Sequence, residues 1–281
     1  EIFILLIYLL FMIIFEKIKK FLRQILRRRE KETGQTNSAV SKRVTAKAEN
    51  PPIFNEEDEY EEKRWASIGY SIIKKIFSPI VRWIWISEIE GLENIPKQGP
   101  VIIASNHESY LDFICFVALS PRKVYYLAAE KFFESRFWRP LMHLTGQIRV
   151  NRKSHDKDKV YQNVFSALRQ GRVIGIFPEG TRSPNGKLLK AFTGVAQFAL
   201  KTKTPVVPVG IIGAFEIWSR HDKFPKFRKK IKIKIGEPMN FPEYYNIDHA
   251  QEHFRAVTDK IMLKIAELVG EEYPYIEEGK K

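Results

Sequence analysis

A histidine followed five residues later by an aspartate stands in the run Ser105-Asn106-His107-Glu108-Ser109-Tyr110-Leu111-Asp112. Imidazole is the side chain that titrates nearest neutral pH, so His107 can take a proton from a hydroxyl under working conditions. It does so well only when a second group fixes its tautomer and steadies the imidazolium, and the carboxylate of Asp112 is suited to both tasks. Residues i and i+5 of one helix do not share a face. The pair meets only if His107 lies in a loop ahead of a helix and Asp112 in the first turns of that helix. Pro100 to Ala104 reads as a buried strand, Ser105 and Asn106 are turn and cap types, and Leu111 to Leu119 is a mostly apolar helix. The pair therefore falls where a strand ends and a helix begins, a common seat of chemistry in α/β sheets.

A second group of residues follows the apolar strand Val173-Ile174-Gly175-Ile176: Phe177-Pro178-Glu179-Gly180-Thr181-Arg182-Ser183. Pro and Gly favour a tight turn, and Gly180 lets backbone approach a ligand closely. Thr181, Arg182 and Ser183 present a hydroxyl, a forked cation and a second hydroxyl, and arginine is the side chain best shaped for two-point contact with phosphate. Glu179 can accept a bond from a substrate hydroxyl or orient Arg182. A third run, Gly146 to Lys153, carries Arg149, Arg152 and Lys153 at the exit of a short strand. A fourth, Thr204 to Ile211 with Pro208 at its centre, reads as a buried strand that can wall an apolar pocket.

In this order and spacing the four runs resemble the glycerolipid acyltransferase family, the 1-acylglycerol-3-phosphate acyltransferases in particular. The resemblance extends from about Ile89 to Gly213. Asn106, His107 and Asp112 match an Asn-His-x4-Asp motif, and Phe177 to Ser183 match a Phe-Pro-Glu-Gly-Thr-Arg-Ser motif in full. Gly146 and Arg152 match a looser second motif, with Arg149 where an apolar residue is common, and Pro208 matches the fourth. The resemblance implies that His107, held by Asp112, removes the proton from the sn-2 hydroxyl of lysophosphatidic acid. The alkoxide then attacks the thioester of acyl-CoA or acyl carrier protein and phosphatidic acid results. It implies that Glu179, Gly180, Thr181 and Arg182, assisted by Arg152, bind the glycerol phosphate. No metal or cofactor beyond the acyl co-substrate is expected. A sibling activity on glycerol-3-phosphate or another lysophospholipid is the alternative.

These residues need a frame to hold them. Val124 to Ala128, Gln147 to Val150, Arg172 to Phe177, Val206 to Ile212 and Ile231 to Ile235 read as strands, with helical stretches such as Lys159 to Gln170 and Gly194 to Lys203 between them. Such alternation predicts an α/β fold with a mostly parallel central sheet flanked by helices. The final helix, roughly Asp248 to Val269, carries an apolar face from Phe254 to Leu268 that is expected against the sheet edge.

Ahead of this frame, Ile2 to Phe15 is almost wholly apolar and is followed by Lys17, Lys19, Lys20, Arg23, Arg27, Arg28 and Arg29. The run is shorter than the roughly 20 residues of a straight membrane-spanning helix. Its charges follow the apolar stretch, which disfavours a secretory signal and favours an anchor with the remainder on the cytoplasmic face. Residues 1–29 are thus expected as a membrane anchor and 30–62 as a polar linker. Residues 63–88 are expected as an amphipathic, membrane-interface helical motif, with Pro79 ending or kinking its helix, and 89–281 as the catalytic domain.

The net charge of +14 suits an anionic membrane, an acidic partner or nucleic acid. Nucleic acid is not expected, because it calls for neither the apolar N-terminus nor the Glu-Gly-Thr-Arg turn. The basic stretch Arg220 to Lys234 reads either as a contact for anionic lipid or an acidic carrier protein, or as an edge strand guarded by lysine. A serine hydrolase using Ser105 or Ser109 lacks the Gly-x-Ser-x-Gly elbow. His249 and His253, one turn apart, lack a further metal ligand nearby. Cys115, the single cysteine, reads as a small core residue, and one cysteine suits a reducing compartment.

Overall fold

A computed structural model describes residues 64–135, 139, 142, 145–150, 157–247 and 250–276. The expected anchor at 1–29 and linker at 30–62 lie outside them. The chain divides into two compact units, Glu1–Ile73 and Lys74–Lys281. In the first unit the described residues form the opening turns of helix α1 (Arg64–Ile84). The second unit contains the rest of α1 and everything below.

Seven strands form one sheet in the order β1-β7-β6-β2-β5-β3-β4. They are β1 (Ile86–Glu90), β2 (Val101–Ser105), β3 (Val124–Ala129), β4 (Ile148–Val150), β5 (Val173–Ile176), β6 (Val206–Ile212) and β7 (Ile231–Ile235). All neighbours run parallel except β6 and β7. The α-helices of this unit delimited among the described residues are α2 (Leu111–Leu119), α3 (Glu130–Glu134), α4 (Lys157–Arg169), α5 (Gly194–Thr202), α6 (Ala214–Trp218) and α7 (Gln251–Val269).

The central strands β2, β5 and β6 are apolar on both faces, the pattern of a sheet covered on both sides. Val101 and Ile103 of β2 join Leu111, Cys115, Phe116, Ala214 and Ile217 in a core beneath α2 and α6. Ile102 and Ala104, pointing the other way, are also fully buried. Helix α7 packs across β6 and also touches β2 and β7, with α5 beside it and α4 beyond. The expectation that this last helix covers the sheet edge is therefore corrected: β6 is the third strand in, and α7 lies over the interior.

Strand β7 is likewise not an edge. It sits between β1 and β6, and its lysines are paired across the parallel register, Lys232 with Glu88 and Lys234 with Glu90 at 3.7 Å. Pro79 does not end α1, which continues to Ile84; the burial of Val81 and the bond from Trp85 N to Val81 O hold the turns beyond it. Along α1 the stripe Ile72, Ile76 and Ile80 is exposed.

Because β2, β5 and β6 are parallel, their carboxyl ends open at one edge of the sheet, where loops carry ligand sites in folds of this kind. The aromatic floor at that edge depends on Gly175 of β5. A Cβ there meets the Tyr126 ring at 2.5 Å, so the absence of a side chain lets Tyr126 lie over the strand. Gly175→Ala is expected to lower stability by about 1–3 kcal/mol in chemical denaturation, the usual cost of overpacking; an unchanged midpoint would contradict the close packing of Tyr126.

Candidate active site

Strand β2 ends at Ser105 and the chain turns through His107 into α2, whose second residue is Asp112. His107 Nδ1 lies 2.8 Å from Asp112 Oδ2. The same oxygen accepts the backbone N–H groups of Glu108 and Ser109, each at 2.7 Å. Asp112 thus closes the turn ahead of its helix while holding the ring. With Nδ1 facing a carboxylate, the proton resides there and Nε2 keeps its lone pair. Nε2 makes no hydrogen bond among the described residues. The imidazole is 17% exposed whereas Asp112 is fully sealed, so a substrate reaches the ring and not its partner.

Three further contacts fix the loop. Asn106 Nδ2 donates to Ile211 O at 2.7 Å and Asn106 Oδ1 accepts Ile211 N at 2.8 Å, clamping the turn to β6. Glu179, at the carboxyl end of β5, accepts His107 N at 2.8 Å through Oε1 and Leu189 N at 2.9 Å through Oε2. Ser183 N donates to His107 O at 2.7 Å. The imidazole plane is set by stacking on Phe177, with centroids 3.9 Å apart and planes 13° apart, and Phe177 in turn stacks on Tyr126 at 5.2 Å.

Arg182 lies with its guanidinium carbon 3.6 Å from the centre of the Tyr110 ring. Tyr110 is three residues past His107, and Ser183 N bonds His107 O, so the Arg182 turn lies beside the His107 loop. No ion pair joins Arg182 to a carboxylate among the described residues, its Nη1 is buried without a hydrogen-bond partner, and burial lowers its pKa. An unneutralised, half-buried guanidinium on an aromatic face is suited to an incoming anion. The loop after α6 forms a third wall. Ser109 Oγ donates to Trp218 O at 2.6 Å, Trp218 packs on Tyr110 at 5.1 Å, and Arg220 Nη1 reaches Arg182 O at 3.4 Å.

The structure therefore brings His107, Asp112, Glu179, Gly180 and Arg182 together. Glu179 is 2% exposed and both its oxygens take backbone N–H groups, so it positions the His107 loop and does not orient Arg182. Gly180 takes φ +68°, and a Cβ there meets the exposed Phe192 ring at 2.9 Å. Thr181 is exposed at the turn. Arg152 and Lys153 lie outside the described residues. Arg149 points to the surface and pairs with Glu130. Pro208 is buried in β6, in the sheet interior.

Ser109 spends its hydroxyl on Trp218 O and not on His107, which removes it as a nucleophile paired to that base. Cys115 is buried, and burial pushes its thiol pKa up. His253 Nδ1 accepts Ala250 N at 3.2 Å at the start of α7, and His249 lies outside the described residues. No cluster of three or more metal-ligand side chains occurs among the described residues.

Sequence reasoning missed Glu108, Tyr110 and Trp218. Glu108 accepts Asn106 Nδ2 at 3.1 Å and Phe215 N at 3.1 Å, and burial followed by the charge of Asp112 raises its pKa to about 8. Burial also raises Glu179 to about 8, against its two backbone N–H bonds. The position of Glu108 directly beside His107 was an available signal. For Trp218 no signal exists short of the fold.

Comparison with known proteins gives a concordant picture. A family model described as "Acyltransferase" matches residues 86–212. The 1-acyl-sn-glycerol-3-phosphate acyltransferase of Bacillus subtilis is 27% identical over 182 residues, 64% of this chain and 87% of that protein. The protein of the same name from Borreliella burgdorferi is 34% identical over 131 residues, 45% of this chain, and the match spans about half that relative (52%). The crystal structure of the 1-acyl-sn-glycerophosphate acyltransferase from Thermotoga maritima shares the fold, with a TM-score of 0.59 and 23% identity, covering 74% of this chain and 83% of that one.

The elevated carboxyls make stability depend on pH. Between the ordinary value of 4.5 and about 8, native Glu108 holds a proton that the unfolded chain has released. Its contribution to stability therefore falls as pH rises through that window and is constant above it. Urea midpoints from pH 5.5 to 8.5 should decline less steeply in Glu108→Gln than in the parent, and identical slopes would contradict the assignment.

Proposed function

We propose that the chain is an acyltransferase that transfers a fatty acyl group from acyl-CoA or acyl carrier protein to the sn-2 hydroxyl of lysophosphatidic acid, forming phosphatidic acid. The observation that carries this reading is that the loop of the Asp112-held imidazole is bonded directly to the turn that carries the unneutralised Arg182, through Ser183 N to His107 O and His107 N to Glu179 Oε1. An acceptor that places a phosphate at Arg182 and a hydroxyl at His107 Nε2 has the chemistry of a glycerol phosphate.

In this mechanism His107 Nε2 takes the hydroxyl proton as the oxygen attacks the thioester carbonyl. The tetrahedral intermediate collapses, the carbon–sulfur bond breaks, and the imidazolium returns its proton to the departing thiolate. Asp112 stabilises the imidazolium between those steps. The charge and hydrogen-bonding work is done by side chains, so no metal or further cofactor enters. Glu179 keeps the His107 loop in register with the Arg182 turn, where Gly180 and Thr181 flank the acceptor, and Arg152 assists in binding its phosphate in this reading. Glycerol-3-phosphate or another lysophospholipid as acceptor is the alternative within the same site.

The membrane is the second partner in this reading. Residues 1–29 anchor the chain at the cytoplasmic face, and the exposed isoleucine stripe of α1 lies in the interface. The stripe supports interfacial docking, and among the described residues no helix is long and apolar enough to cross a membrane.

His107→Ala should lower kcat on lysophosphatidic acid by roughly 10²- to 10⁴-fold, the range for a lost general base; near-normal turnover would remove His107 from the chemistry. Arg182→Ala should raise the acceptor KM by about 10- to 100-fold, the worth of a charge-assisted hydrogen bond, with the donor KM unmoved. An unchanged acceptor KM would contradict the phosphate role. Deleting residues 1–29 should reduce sedimentation with membranes while sparing acyl transfer to a water-soluble acceptor; full retention on membranes would contradict the anchor.

A further inference from the structure

The basic stretch after α6 separates into two parts. Lys230, Lys232 and Lys234 are neutralised by Glu216, Glu88 and Glu90. Lys226 is tied into the loop, its Nζ donating to Glu216 O and its carbonyl accepting Trp85 Nε1 at 3.0 Å. Lys223, Arg228 and Lys229 are exposed, and no acidic partner is found for them among the described residues. Interleaved with these three cations are two phenylalanines that also face solvent, Phe224 at 39% and Phe227 at 50% exposure. Phe227 stacks on Trp85 at 6.2 Å, and two residues before Trp85, Trp83 is 78% exposed.

A merely solvated basic face explains the lysines but not the exposed rings. Leaving Phe224 and Phe227 in water is unfavourable, and the fold had acidic neighbours available for the paired lysines next door. Aromatic rings among uncompensated cations are the composition of a surface that seats at the headgroup level of an anionic bilayer. An acidic carrier protein would satisfy the cations and leave the rings without a purpose. The loop is also held to the candidate active site. Arg220 and His221 bond the backbone of Arg182 and Pro184, and Asp222 Oδ2 accepts both Ser219 N and Ser219 Oγ, fixing the bend between the two regions.

We propose that residues 223–229 form a docking surface for an anionic phospholipid bilayer. Docking there sets the Arg182 side of the site at the lipid surface, apart from any anchoring by residues 1–29. This deepens the acyltransferase reading and rests on it only for its purpose, since lipid binding by the loop is measured without turnover.

The test uses the full chain with Phe224→Cys carrying an environment-sensitive fluorophore, in a Cys115→Ala background. Vesicles of phosphatidylcholine with increasing phosphatidylglycerol should shift its emission to the blue, and phosphatidylcholine vesicles should do so weakly. No shift while the protein co-sediments with the vesicles would overturn the proposal, because the anchor alone would then be holding it. A shift with acyl carrier protein but not with vesicles would overturn it in favour of an acidic protein partner. The triple change Lys223→Gln, Arg228→Gln, Lys229→Gln should weaken binding to anionic vesicles by roughly a hundredfold. The pair Phe224→Ser, Phe227→Ser should lose activity on vesicle-borne acceptor and keep it on a short-chain soluble one. Equal loss on both would overturn docking as the role of the loop. Vesicle binding by the loop without turnover of lysophosphatidic acid would retain this surface and dismiss only that substrate.

Discussion

One carboxylate oxygen organises this molecule. Asp112 Oδ2 accepts the imidazole N–H of His107 and the backbone N–H groups of Glu108 and Ser109 together. The two backbone bonds shape the turn between β2 and α2, and the third fixes the ring that the turn presents. Tautomer, ring position and loop conformation are therefore one constraint. Removing the carboxylate takes away all three, and a ring left free to flip offers either nitrogen to solvent. This is why the base stands in a loop while its partner stands in a helix: the helix end supplies a rigid origin from which the loop is measured.

Around that oxygen the fold concentrates buried carboxyl groups. Glu108 and Glu179 lie within the same neighbourhood as Asp112, and burial raises both toward neutrality. Desolvating three acids in one place opposes folding. The compensation is geometric, since Glu179 joins His107 to Leu189, and Glu108 joins Asn106 to Phe215. These bonds tie the loops at the ends of β2, β5 and β6 into one unit. The acids thus act as connectors between segments far apart in sequence, and the cation they leave unneutralised, Arg182, remains available to a substrate anion.

Much of this was legible beforehand because it is local. The strands at Val206–Ile212 and Ile231–Ile235 are legible to the residue and β2 to β5 to within one, since apolar runs between Gly and Pro punctuation mark them, whereas β1 at Ile86–Glu90 is not assigned from the sequence. The loop-then-helix placement of His107 and Asp112 followed from helix geometry. What depends on sheet order was not legible. Neither the seat of α7 over β6 nor the interior position of β7 can be read from periodicity, and the pairing of Lys232 with Glu88 requires knowing that β1 and β7 are neighbours. The bonds of Glu179 were out of reach for the same reason: its partner Leu189 lies ten residues on, in a loop whose return path the sequence does not specify. Of the two outcomes expected at Pro79, ending or kinking the helix, the ending is set aside, because packing of the turns after it carries the helix on to Ile84.

The most direct test of the central claim is the tautomer of His107, read by ¹⁵N chemical shifts of histidine-labelled protein at neutral pH, with the signal assigned by its loss in His107→Ala. The account expects the proton on Nδ1, with Nε2 unprotonated and the pattern abolished in Asp112→Asn. A neutral His107 carrying its proton on Nε2 would leave no lone pair facing the acceptor hydroxyl, and would contradict the assignment of this imidazole as the base.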